Sequence, residues 1–107
     1  MKKWRRSGSS DGAVAGLSGC HLADLGGSIL EFTWQWGGTN PDDFRLSVSN
    51  DGGFNFQIQG PPFEPGNARS ALYDAAGMEG LPCLGKIDAR VGGVSVGICL
   101  TNVVNLP

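Results

Sequence analysis

Leu30-Glu31-Phe32-Thr33-Trp34-Gln35-Trp36, Phe44-Arg45-Leu46-Ser47-Val48 and Phe54-Asn55-Phe56-Gln57-Ile58 alternate apolar and polar side chains without a break. Successive side chains on a strand point to opposite faces, so each stretch presents one apolar and one polar face. That is the pattern of antiparallel strands half-buried on a core. Turn formers separate them: Gly37, Gly38, Asn40 and Pro41 before the second, Asn50-Asp51-Gly52-Gly53 before the third. The latter tolerate positive φ and predict a tight reversal that folds residues 54–59 back onto residues 43–49.

Working outward, residues 16–22 read as a first, irregular strand and residues 28–36 as the best strand of the chain. Pro61, Pro62 and Pro65 confine residues 60–67 to loop or edge. Residues 68–73 form a weaker strand, and residues 74–80 are too short and Gly-broken for a stable helix. Residues 86–91 and the alternating Val94, Val96, Ile98 and Leu100 complete the set. About seven short strands with turns between them predict an all-β chain, an antiparallel two-sheet β-sandwich. Its expected interior is Leu30, Phe32, Trp34, Phe44, Leu46, Val48, Ile87, Ala89, Val91, Val96 and Ile98. These fill a space of about 10 Å between sheets, each large side chain contributing roughly 1.5–3 kcal/mol on burial.

Composition agrees. The 107 residues suit one domain, and 18 Gly with 6 Pro favour frequent turns over helices. The net charge of −2 hides an asymmetry. Lys2, Lys3, Arg5 and Arg6 fall in the first six residues, while the remainder sets four cations against all ten acidic residues, a net −6. Residues 1–12 therefore read as a basic N-terminal arm and residues 13–107 as the β-sandwich domain. The acidic body repels phosphates, which argues against nucleic acid as its partner. No stretch is long and apolar enough to span a membrane as a helix, and the basic start lacks the apolar run of an export signal. The expected site of synthesis is a cytoplasm. Cys20, Cys83 and Cys99 are too widely spaced for a zinc motif or a disulfide framework. They are expected as small hydrophobes in a reducing compartment, with one disulfide and a spare thiol as the alternative.

The element order resembles that of a fibronectin type III domain over roughly residues 13–104. Leu30-Glu31-Phe32-Thr33-Trp34 is similar to that family's Leu-x-Val-x-Trp strand, and Phe44-Arg45-Leu46-Ser47-Val48 to its Tyr-x-Val strand. Leu81-Pro82-Cys83-Leu84-Gly85 leading into Ile87-Asp88-Ala89-Arg90-Val91 is similar to its Leu-x-Pro-Gly and Tyr-x-Val-Arg-Val segments. Ile87 stands where the family has Tyr, so the resemblance implies a sandwich without the tyrosine-corner hydrogen bond. An immunoglobulin-like sandwich is the alternative.

Chemistry is sparse. His21 neighbours Cys20, and adjacent strand residues point to opposite faces, so the pair cannot form a nucleophile–base dyad. No nucleophile elbow, phosphate loop or zinc-binding helix motif occurs, and the chain is expected not to be an enzyme and to need no cofactor. Asn40, Asp42 and Asp43 in one loop and Asn50 and Asp51 in another carry oxygen ligands suited to calcium. The loops fall at opposite ends of a seven-residue strand about 23 Å long, so turn formation is the expected role. Trp36, Phe63 and Tyr73 are candidates for an aromatic glycan platform.

The arm is the clearest functional signal. Lys2, Lys3, Trp4, Arg5 and Arg6 surround an aromatic anchor with cations, residue types favoured at interface hot spots. Extended, twelve residues reach about 40 Å. The expected function is a structural or interaction module that docks through this arm on neighbouring subunits, copies of itself included. The chain resembles the fibronectin-like and immunoglobulin-like accessory domains on the heads and tails of tailed bacteriophages, which implies a virion decoration protein. The alternative is a free adhesin-like module that binds a glycan or protein through residues 37–42 and 60–67.

Overall fold

The computed structural model describes residues 16–58 and 63–107. Eight strands form two antiparallel sheets: β1 (Gly16–Asp24), β2 (Ile29–Gly37), β3 (Asp43–Ser49), β4 (Gln57–Ile58), β5 (Glu64–Pro65), β6 (Ser70–Asp74), β7 (Pro82–Val91) and β8 (Val94–Asn105). One sheet has the order β1-β2-β6; the other runs β4-β3-β7-β8, with β5 also paired to β3. No helix occurs among the described residues. The chain is a two-layer sandwich, as its alternation predicts.

The core follows from that alternation on β2, β3 and β7. Leu30, Phe32 and Trp34 face Phe44, Leu46, Val48, Ile87 and Ala89, all buried. Trp34 packs on Phe44 with ring centroids 5.1 Å apart, and Phe32 on Tyr73 at 5.9 Å. Gly85 is needed under Phe32, because a Cβ there would sit 2.6 Å from the ring. Ile87 is buried and apolar, so no tyrosine corner forms. Instead the Tyr73 hydroxyl donates to the Gln57 carbonyl at 2.7 Å, tying β6 of one sheet to β4 of the other.

Three expectations need correction. Val91, Val96 and Ile98 are not core; Val96 is 51% and Ile98 57% exposed. The inward positions of β8 are Gly97, Cys99 and Thr101 instead, where the strand packs beside β1 and Cys99 joins Cys20. The predicted strand 54–59 shrinks to β4. Asp51 captures the reversal, its carboxylate accepting from the Phe54 and Asn55 amides at 3.1 and 3.0 Å and from the Ser49 hydroxyl at 2.6 Å. These bonds hold the Asp51 carboxyl well below the usual carboxylate range, the Ser49 hydroxyl contributing most. A loop rather than a tight turn therefore leads into β4.

The third correction concerns the cysteines. Cys20 on β1 and Cys99 on β8 form a disulfide with Cα atoms 6.2 Å apart, leaving Cys83 as a buried thiol. A separation of 79 residues hides this pairing in the sequence; it exists because β1 and β8 meet where the two sheets converge. Next to it, the Asn102 side chain accepts from the Leu22 amide at 2.9 Å and donates to the Leu22 carbonyl at 3.0 Å. One carboxamide thus replaces a ladder step between sheets that share no backbone pairing at this edge.

Candidate functional site

Opposite-strand partners in an antiparallel ladder share a face, so the register assigns the outer surface of the larger sheet. Arg45 pairs with Asp88 and Ser47 with Lys86 between β3 and β7. Asp88 pairs with Ile98 and Lys86 with Leu100 between β7 and β8. Ser47 also pairs with Ile58 on β4. The outer face is thereby divided into a polar, aromatic half on β3, β4 and β7 and an apolar row on β8.

The apolar row comprises Val96, Ile98, Leu100 and Val103, each more than half exposed; Val94, also exposed, pairs with Val91 beyond the second bulge and lies on the other phase. The row extends for about 23 Å at strand rise. β8 keeps these side chains together because its bulges, opposite Gly85 and near Arg90, re-aim the strand without breaking it. The Thr101 hydroxyl accepts from the buried Gly85 amide at 2.9 Å inside the first bulge, where the partner strand offers no carbonyl.

The polar half contains an open groove of about 330 Å³ lined by Arg45, Ser47, Phe54, Asn55, Phe56, Ile58, Lys86 and Asp88. Phe54 is 88% exposed at its rim. Lys86 Nζ stands 4.4 Å from the Phe56 ring, and the Arg45 and Arg90 guanidinium groups lie 4.8 and 4.7 Å from Phe63. Such cation–ring contacts are worth about 0.5–1 kcal/mol at exposed sites. The Asp88 carboxylate accepts from the Ser95 hydroxyl at 2.5 Å.

The residues singled out from the sequence scatter. Trp36 is half-buried, its indole donating to the Thr39 carbonyl at 2.8 Å. Phe63 lies under Arg45 and Arg90, and Tyr73 is buried. These three do not make one platform, because Tyr73 faces the core from β6. Asp42 accepts from the Gly92 amide at 2.7 Å and Asp43 pairs with Arg90 at 2.9 Å, so both carboxylates brace the β7–β8 turn region against β3. Asn40 accepts from Arg69 at 2.7 Å, joining residues 37–42 to the loop before β6. Gly66 allows that contact: a Cβ there would sit 1.8 Å from the Pro41 carbonyl oxygen. His21 is exposed on β1, and its neighbour Cys20 is spent in the disulfide. Lys2, Lys3, Trp4, Arg5 and Arg6 lie outside the described residues.

The groove was not legible as such. Arg45, Ser47, Lys86 and Asp88 mark polar faces of two strands in the sequence, but only the β3–β7 register brings those faces side by side.

Among solved structures, the chain is similar to the solution structure of the fn3 domain of the human collagen alpha-1(XX) chain. The TM-score is 0.56 at 18% identity, and the likeness covers 95% of this chain and 88% of that one. No family model matches the chain, and no curated protein is similar enough in sequence to match it. The likeness establishes a fibronectin type III-like sandwich as the fold.

Proposed function

We propose that this chain is a non-enzymatic interaction module that packs on neighbouring protein subunits through the outer face of its larger sheet and through its basic arm. The observation that carries this reading is the apolar row on β8. Contiguous exposed apolar surface on a domain marks protein contact sites, and here Val96, Ile98, Leu100 and Val103 follow one another along β8, each more than half exposed. A fibronectin type III-like fold is consistent with such a role, although fold alone assigns no function.

The setting we infer is a large extracellularly exposed assembly, with a virion accessory or decoration protein of a phage head or tail as the specific form. The Cys20–Cys99 disulfide supports exposure to an oxidising environment, since such bonds persist on virion and cell surfaces and are rare in a reducing cytosol. The arm residues Lys2, Lys3, Trp4, Arg5 and Arg6 supply cations and an aromatic anchor for an acidic neighbour.

The test follows two variants into assembled particles: one lacking residues 1–12, the other carrying Val96→Glu and Ile98→Glu. Both are expected to keep the β-sheet circular dichroism of the parent and to be absent from the particles. Normal incorporation of the arm-less chain refutes the role of the arm; normal incorporation of the β8 variant refutes the docking face.

A further inference from the structure

We infer that the groove beside Phe54 binds an acidic peptide segment of a partner protein, its carboxylates against Arg45 and Lys86 and an apolar side chain against Phe54. This rests on the interaction-module reading and names the chemistry of the partner.

Shape comes first. In the row Ile58–Ser47–Lys86 the central residue is small, so the sheet surface sinks between two long side chains. The Asp51-capped loop carries Phe54 and Phe56 over that depression. A volume of about 330 Å³ admits one or two side chains.

Charge decides what enters. Among the described residues the one ion pair is Arg90–Asp43. Lys86 has a ring rather than a carboxylate for company. Arg45 Nε is removed from solvent and has no hydrogen-bond acceptor among the described residues, an arrangement that costs free energy until an acceptor arrives. Asp88, the one acid that lines the groove, accepts from the Ser95 hydroxyl. The groove thus holds two cations against one engaged carboxylate, on a body whose described residues are acidic overall. An incoming carboxylate gains charge-assisted bonds there, and its attraction is confined to this groove, because the acidic surface around it repels anions.

Phe54 supplies the apolar contact. Its ring is exposed, while its backbone amide is fixed by Asp51, so it is presented at little further entropic cost. A groove lined by both cations and rings suits a segment that carries Glu or Asp together with Leu or Phe.

The test is fluorescence anisotropy on the full chain with a fluorescein-labelled acetyl-Glu-Phe-Glu-Leu-Glu-amide probe, its Gln-for-Glu counterpart, and N-acetylneuraminic acid as competitor. The Glu peptide is expected to bind about tenfold or more tighter than the Gln peptide, one charge-assisted contact sufficing for that ratio. Lys86→Ala and Phe54→Ala should each weaken it about tenfold at unchanged melting temperature, since both side chains project outward. Added salt should weaken binding further. Equal binding of the two peptides, no binding of either, wild-type binding by both variants, or displacement by the acidic sugar at lower concentration than by unlabelled peptide overturns the proposal. The measurement uses the free protein. Val96→Glu with Ile98→Glu is expected to retain peptide binding, so failure of the β8 docking face and failure of the groove are read separately.

Discussion

β2 and β8 are written in the same alternating code and fold with opposite phases. On β2 the large residues Leu30, Phe32 and Trp34 enter the core, and Glu31, Thr33 and Gln35 lie on the other face. On β8 the large residues Val94, Val96, Ile98 and Leu100 point to solvent, while Gly97, Cys99 and Thr101 face inward. Period 2 states that a strand has two different faces; it does not state which one is buried. On β2 the core has room for rings. On β8 the inward side lies beside β1, where Gly97 sits near Leu17 and Trp36, Cys99 joins Cys20 and Thr101 holds the Gly85 amide. The large apolar side chains of β8 are left on the exposed side.

The sharpest test of this contrast is truncation on each strand. Trp34→Ala should cost on the order of 3–5 kcal/mol in denaturant unfolding; Ile98→Ser should stay within about 0.5 kcal/mol. Equal costs break the comparison. Cys99→Ser probes the inward side of β8: removing a cross-link over 79 residues should cost about 2–4.5 kcal/mol by chain entropy, seen equally as a fall in melting temperature when the parent is reduced. Thr101→Val preserves shape but leaves the buried Gly85 amide unpaired, at about 1–3 kcal/mol; no loss means the bulge is satisfied some other way.

The smallest effect is in the β3–β4 loop. The Asp51 carboxyl titrates lower in the folded chain than in the unfolded one. Its stabilisation is therefore complete above the ordinary Asp pKa near 4 and lost as pH falls through the folded value. The stability gap between parent and Asp51→Asn should be flat from pH about 7 to 5 and close in more acidic solution. A gap that widens on acidification contradicts the loop geometry.

Local chemistry was legible where one residue's surroundings are its own neighbours. Alternation gave β2, β3 and the sandwich; among the described residues 63–67 of the proline-rich stretch, the two-residue edge strand β5 forms. The third alternating stretch misled because Asp51 lies beside the amides of Phe54 and Asn55 and binds them before a ladder can form. The arm residues Lys2, Lys3, Trp4, Arg5 and Arg6 are likewise a property of sequence alone, as they lie outside the described residues.

By itself the sequence determined the class of this protein, because apolar side chains at period 2 with glycine-rich turns can bury their surface only as stacked sheets. Only the tertiary structure decided which face of β8 is covered, which cysteines join and where cations gather around Phe54. Those outcomes depend on contacts between residues tens of positions apart, such as those that bring β1 beside β8, and alternation along one strand carries no record of them.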